Sequence, residues 1–102
     1  MIVPAIALGS CGAISVISNV LPNESVAMAN AALDGNYLQA AKMQKQLQPL
    51  IEQLFCEVNP VPVKEALSYL GFDCGGYRLP LTKMTTKNKE KLYAELKQAM
   101  HR

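Results

Sequence analysis

The stretch that decides the fold reads Asn59-Pro60-Val61-Pro62-Val63-Lys64, and a second stretch, Arg78-Leu79-Pro80-Leu81-Thr82, follows it along the chain. Asn59 and Pro60 are typical of a turn, and Pro62 suits the first turn of a helix, where its missing N–H costs nothing. Apolar residues then recur at helical spacing before Gly71, at Val63, Ala66, Leu67 and Leu70. The pattern predicts a helix over about residues 62–70 and a loop after it.

Three further helices are predicted, over about residues 24–34, 37–55 and 86–100. Asn23 can cap the first, and Gly35 supplies its left-handed stop. The second carries an apolar stripe and contains Pro49, which removes one hydrogen bond and predicts a bend. Leu92, Leu96 and Met100 anchor the last helix.

Two lysines, Lys87 and Lys89, stand at the positive end of the last helix. Each is unfavourable by about 0.3–1 kcal/mol there. Either this helix is weakened, or neighbouring acidic residues compensate in the full protein.

The first 22 residues carry no charge, and their chemistry favours a buried strand over a membrane segment. No lysine or arginine precedes Lys42, and polar residues and glycines interrupt the apolar run. The alternation over Ala13–Ile17 predicts a strand, and with Met1–Leu8 as a helix end it resembles the last βα segment of a barrel. Residues 1–22 therefore form one segment, and residues 23–102 form a helical region.

Composition and charge argue against several classes of protein. The chain has 102 residues, half of them apolar, and a net charge of +2, which argues against disorder and against general nucleic-acid binding. Cys11, Cys56 and Cys74 are odd in number without C-x-x-C spacing, and His101 stands alone, so neither a disulfide framework nor a metal site is indicated. A reducing cytoplasm fits best.

The two opening stretches resemble the C-terminal region of the dihydrodipicolinate synthase family. Gly12-Ala13-Ile14-Ser15-Val16 is similar to a strand of that family, and Leu47-Gln48-Pro49-Leu50 is similar to its long helix with an internal proline. The resemblance runs from Ala7 to about Met100. It implies a mainly α chain that is the C-terminal piece of a (β/α)8 barrel, namely the last strand plus the C-terminal helices. Such a barrel needs roughly 250 residues, so this chain alone cannot close it.

The resemblance also implies a chemistry. In the family, a lysine forms a Schiff base with pyruvate, which then condenses with aspartate semialdehyde in lysine biosynthesis through diaminopimelate; no cofactor is needed. That lysine lies upstream of the matched region, so no catalytic residue is expected here and the chain alone should be inactive. Ile14 is expected to offer its backbone carbonyl on the pyruvate side. The resemblance implies a homo-oligomer without nucleic-acid or membrane partners, and structural roles for Pro49, Asn59, Pro60, Pro62, Arg78 and Pro80.

Two residues of the opening stretches, Lys64 and Arg78, have specific expected roles. Lys64 begins a helix rather than ending a barrel strand, so it is not expected to be the Schiff-base lysine. The guanidinium of Arg78 is expected to hold the loop to a helix through hydrogen bonds.

Two other functions stay open. One is a different pyruvate-dependent aldolase, such as an N-acetylneuraminate lyase. The other is a stand-alone helical interaction module that binds a partner through exposed apolar surface.

Overall fold

The computed structural model describes residues 1–101, and every regular element in that range is helical. In chain order these are α1 (Ile2–Ala7), a 3-10 turn (Ile17–Asn19), α2 (Pro22–Leu33), α3 (Tyr37–Leu54), α4 (Val61–Tyr69) and α5 (Thr86–Met100). The residues group into two compact units, Met1–Gln48 and the residues from Pro49 on. The mainly helical fold and all four predicted helices are confirmed.

In the first unit, α2 packs against α1 and against the 3-10 turn. Its core is formed by aliphatic and methionine side chains, among them Val3, Ile6, Ile17, Val20, Met28 and Ala32. Gly35 ends α2 at a φ of +81°, and the amide of Asn36 donates to the carbonyl of Ala31 at 2.9 Å. The predicted left-handed stop is therefore correct.

The predicted cap of α2 is wrong by two residues. The helix begins at Pro22, with Leu21 as its N-cap, so Asn23 lies within the first turn and is exposed. Proline is pre-organised for the first helical position, where no N–H is needed. The Ser25 hydroxyl donates to the Leu21 carbonyl at 2.8 Å, which ties this first turn together.

In the second unit, α4 packs against α5. Leu54, Ala66, Leu92 and Leu96 are completely buried there. Gly71 ends α4 at a φ of +94°, and the amide of Phe72 donates to the carbonyl of Leu67 at 2.9 Å. Helix α3 continues through Pro49, as predicted; the bend there stays a prediction.

The predicted strand over Ala13–Ile17 is not formed, since residues 12–15 are irregular and Ile17 begins the 3-10 turn. A strand needs a neighbour to pair its N–H and C=O groups, and the described residues provide none. Local bonds replace the ladder: the Ser18 hydroxyl donates to the Ser15 carbonyl at 2.8 Å, and the Ser18 amide donates to the Ser15 hydroxyl at 3.3 Å.

Candidate functional site

Ile14 was expected to face a bound keto acid. It lies in the irregular segment before the 3-10 turn, and its side chain is fully exposed. Its role in binding stays a prediction, because the described residues bring no candidate catalytic group to it.

The turn that the sequence predicted at Asn59 and Pro60 leads directly into α4. The amide of Val61 donates to the Val58 carbonyl at 3.0 Å, and the amide of Lys64 donates to the Pro60 carbonyl at 3.1 Å. Pro62 occupies the first turn of α4 and is fully buried. The peptide bonds Asn59–Pro60 and Leu79–Pro80 are both cis.

Lys64 is directed at the loop that follows α4. Its ammonium group donates to the carbonyl of Gly76 at 2.5 Å and lies 5.0 Å from the centroid of the Tyr77 ring. A cation above a ring face is attracted by the ring quadrupole. The side chain therefore holds the loop against α4, and the expectation that it is not a Schiff-base lysine stays a prediction.

The carboxylate of Glu65 is the centre of a polar cluster in the second unit. It accepts hydrogen bonds from Tyr93 at 2.5 Å and from Tyr77 at 3.3 Å, and it forms an ion pair with Lys89 at 3.3 Å. We call Glu65, Tyr77, Lys89 and Tyr93 the Glu65 cluster. Its members come from α4, from α5 and from the loop between them, so one carboxylate joins three segments.

Burial and the neighbouring groups have opposite effects on the pKa of Glu65. The Glu65 side chain is only 12% exposed, and burial alone would raise its pKa. The hydrogen bonds from Tyr93, Lys89 and Tyr77, with the charge of Lys89, outweigh that effect and lower the pKa. The phenols respond oppositely: burial, together with the nearby carboxylate, raises the pKa of Tyr77 and raises that of Tyr93 to about 12.

Glu57 organises the start of α5 from outside that helix. Its Oε2 atom accepts hydrogen bonds from the Asn88 side chain at 2.9 Å, from the Thr85 amide at 3.1 Å and from the Thr85 hydroxyl at 3.3 Å. Thr85 is itself the N-cap, and its hydroxyl accepts a hydrogen bond from the backbone N–H of Asn88 at 3.4 Å. The bond from Asn88, with those from Thr85, lowers the pKa of Glu57.

These two glutamates bring negative charge to the lysine-bearing start of α5. Glu57 places a negative charge at the positive end of the helix, and Glu65 pairs with Lys89. Acidic residues of this chain therefore offset part of the unfavourable charge, through the ion pair of Lys89; whether the full protein adds further compensation stays a prediction.

Arg78 differs from its expected behaviour. Its side chain is exposed and makes no hydrogen bond to any residue of the range 1–101, while its carbonyl accepts from the Leu81 amide at 2.9 Å. The predicted loop-to-helix bonds are not made here, and a structural role in a larger assembly stays a prediction.

The loop and α4 enclose an open cleft of about 510 Å³, lined in part by Lys64, Glu65, Ser68, Tyr77 and Lys83. Two of its charged groups are already engaged, since Lys64 binds the Gly76 carbonyl and Glu65 binds its cluster. Within the described range, no group of three or more histidine, cysteine or acidic residues could hold a metal ion. The contacts of Lys64 and Glu65 in this cleft hold the loop against the helices.

The cleft and the Glu65 cluster do not identify a protein family, whereas comparison with known proteins does. The sequence profile described as the Dihydrodipicolinate synthetase family matches residues 1–99. The chain belongs to that family.

Individual relatives belong to the same family. The chain is 48% identical over 89 residues to the 4-hydroxy-tetrahydrodipicolinate synthase of Caldicellulosiruptor saccharolyticus. The aligned region covers 87% of this chain and 30% of that protein. A crystal structure of dihydrodipicolinate synthase from Aquifex aeolicus superimposes with a TM-score of 0.91 at 43% identity, covering 94% of this chain and 33% of that one. The chloride-inhibited synthase from Acinetobacter baumannii, solved in complex with pyruvate, gives a TM-score of 0.91 at 36% identity over 96% of this chain and 34% of that one.

The chain thus spans about a third of the length of the synthases it matches. The fold expected from the resemblance, a C-terminal piece of the family's barrel, is confirmed. Among residues 1–101, no helix combines the length and the apolar character needed to cross a membrane.

Sequence reasoning missed Glu57 and Glu65. The signal that could have exposed them is weak: a helix start with lysines and no acidic residue requires an anion from elsewhere, but nothing local says which glutamate supplies it.

Proposed function

We propose that this chain is the C-terminal part of a 4-hydroxy-tetrahydrodipicolinate synthase, a lyase that condenses pyruvate with aspartate semialdehyde through a lysine Schiff base and without a cofactor. The observation that carries the proposal is the agreement of sequence and fold over the same region, with 48% identity to one synthase and a TM-score of 0.91 to another. The proposed setting is the cytoplasm, and the proposed assembly is a homo-oligomer.

The first unit supports this role through its exposed apolar side chains. Leu8, Ile14 and Leu38 are each at least 90% exposed, although each is large and aliphatic. In a complete barrel, preceding strands and helices would cover such residues and would pair the backbone of residues 12–15. In this proposal the backbone carbonyl of Ile14 lies beside the bound keto acid, while the amine that forms the Schiff base comes from another segment.

A chimera tests the proposal directly. The C-terminal third of the Caldicellulosiruptor saccharolyticus synthase is replaced by this chain, and the product is assayed with pyruvate and aspartate semialdehyde. Borohydride trapping with pyruvate, followed by mass spectrometry, then locates the Schiff base. We expect condensation by the chimera, a pyruvyl adduct outside this chain, and no adduct when the chain is incubated alone.

The alternatives give different outcomes. Cleavage of N-acetylneuraminate by the chimera without condensation of aspartate semialdehyde would favour the other aldolase. A chimera that fails to fold, although the parent synthase folds under the same conditions, would favour a stand-alone module. A stoichiometric adduct on the isolated chain would contradict the proposal.

A further inference from the structure

The loop between α4 and α5 is held at very few points. Its start is fixed by the Phe72 amide bonded to Leu67, and Met84 is buried where the loop approaches α5. Between residues 71 and 80, Tyr77 is the one side chain that is not exposed. The exposed residues of this stretch include Arg78 and Leu79, which is 86% exposed.

Both side chains that hold Tyr77 come from the first turns of α4. Lys64 lies over its ring and binds the preceding carbonyl, and Glu65 accepts a hydrogen bond from its hydroxyl. Glu65 is in turn fixed to α5 by Tyr93 and Lys89. The carboxylate of Glu65 therefore joins the loop to both helices, whereas Lys64 joins it to α4 only.

We propose that Glu65 is a charge-dependent latch that docks the loop of residues 72–82 onto α4 and α5 through Tyr77, and that neutralising this carboxylate releases the loop while the two helices stay packed. The loop contributes little to the helix core, whose completely buried members include Ala66, Leu92 and Leu96. Loss of the charge weakens the hold on the loop and leaves that core in place. This inference does not depend on the proposed function.

The charge matters because a protonated carboxyl still forms hydrogen bonds. Bonds to an ionised carboxylate are roughly twice as strong as those between neutral groups. Protonation also removes the ion pair with Lys89. The charged and titratable groups that act on Glu65 are Tyr77 from the loop, and Lys89 and Tyr93 from α5. Lys64 from α4 lies over the Tyr77 ring, and Glu57 and Cys74 act on Tyr77 from further away.

The direction of the pH dependence follows. The pKa of Glu65 is lowered from its ordinary value of 4.5, so the latch is closed above pH 4.5 and opens as the pH falls through the pKa of the folded state. At neutral pH, the substitution Glu65→Gln imitates the protonated state.

Trypsin provides the readout, because Arg78 places a cleavable bond inside the loop and Lys91 places another inside α5. At neutral pH, we expect Glu65→Gln and Tyr77→Phe to accelerate cleavage after Arg78 by about three- to tenfold, the equivalent of one weakened hydrogen bond. Cleavage after Lys91 should be unchanged. Glu52→Gln is the matched control, since it neutralises an exposed carboxylate of the same unit that bonds to no described residue.

A second measurement tests acid release. The NMR signals of the Tyr77 ring should shift toward those of Glu65→Gln as the wild-type chain is titrated below pH 4.5, while the variant's own ring signals shift far less, by the effect of Glu57 alone. Unchanged cleavage after Arg78 in both variants would overturn the proposal. So would equal acceleration after Arg78 and Lys91, or an acid shift of the same size in Glu65→Gln as in the wild type. If Glu65→Gln does not fold, Tyr77→Phe decides alone.

Discussion

Replacing Glu57 with glutamine would isolate what one charge contributes to helix α5. Glutamine keeps the size of the side chain and one acceptor oxygen, but it weakens the three bonds from Thr85 and Asn88 and removes the anion from the helix start. An anion at a helix N-terminus stabilises by about 0.3–1 kcal/mol, and charge-assisted bonds add to this. Because Glu57 is only half-buried, solvent screening reduces the sum, and we expect a loss of about 1 kcal/mol at neutral pH.

Urea denaturation followed by tyrosine fluorescence suits this test, since Tyr69, Tyr77 and Tyr93 all lie in the second unit. Glu52→Gln is the matched control: it makes the same chemical change on an exposed carboxylate that bonds to no residue of the described range. We expect the control to stay within about 0.5 kcal/mol of the wild type.

The pH dependence gives a second criterion. Bonding from Asn88, and then from Thr85, lowers the pKa of Glu57 below its ordinary value of 4.5, so its stabilisation is complete above that value and is lost as the pH falls through the folded-state pKa. The difference between wild type and Glu57→Gln should therefore narrow below pH 4.5. Equal stability of the two proteins at neutral pH would refute the reasoning, and so would a difference that does not change with pH.

Three further predictions follow from the second unit. Leu92→Ala should lower the free energy of unfolding by about 2–5 kcal/mol in thermal denaturation, because the side chain is completely buried and leaves a cavity. In a spectrophotometric alkaline titration, Tyr93→Phe should remove the phenol whose pKa is about 12, and loss of an earlier step would contradict the assignment. Arg78→Lys should leave the melting temperature of this chain unchanged, because its guanidinium bonds to no described residue; in the chimeric synthase, each bond lost should cost about 1.5–3 kcal/mol, with little change in pyruvate affinity.

The helices were predictable because their signals are local. Val63, Ala66, Leu67 and Leu70 define α4 within one turn of its observed bounds, and Gly35 ends α2 as its position required. The error at Asn23 has a local cause as well, since a good capping residue stood beside a proline that suits the first helical position better.

The polar clusters could not be predicted in the same way. The partners of Glu57 lie 28 and 31 residues away, at Thr85 and Asn88, and Tyr93 lies 28 residues from Glu65. No periodicity connects such distances, because the pairing depends on how α4 packs against α5. Helix positions follow from sequence, whereas the choice of partner for each carboxylate follows from packing.

The segment before the 3-10 turn has a clear local pattern, but its structure depends on a partner. Its alternation over Ala13–Ile17 is a strand pattern, and the family match includes it, yet within residues 1–101 it has no strand to pair with. A helix satisfies its own backbone, but a strand depends on a neighbour. Ser15 and Ser18 therefore bond to each other, and Ile14 is left fully exposed. If a preceding barrel strand were supplied, as in the chimera, the same residues should become extended, and the local serine bonds should give way to a ladder.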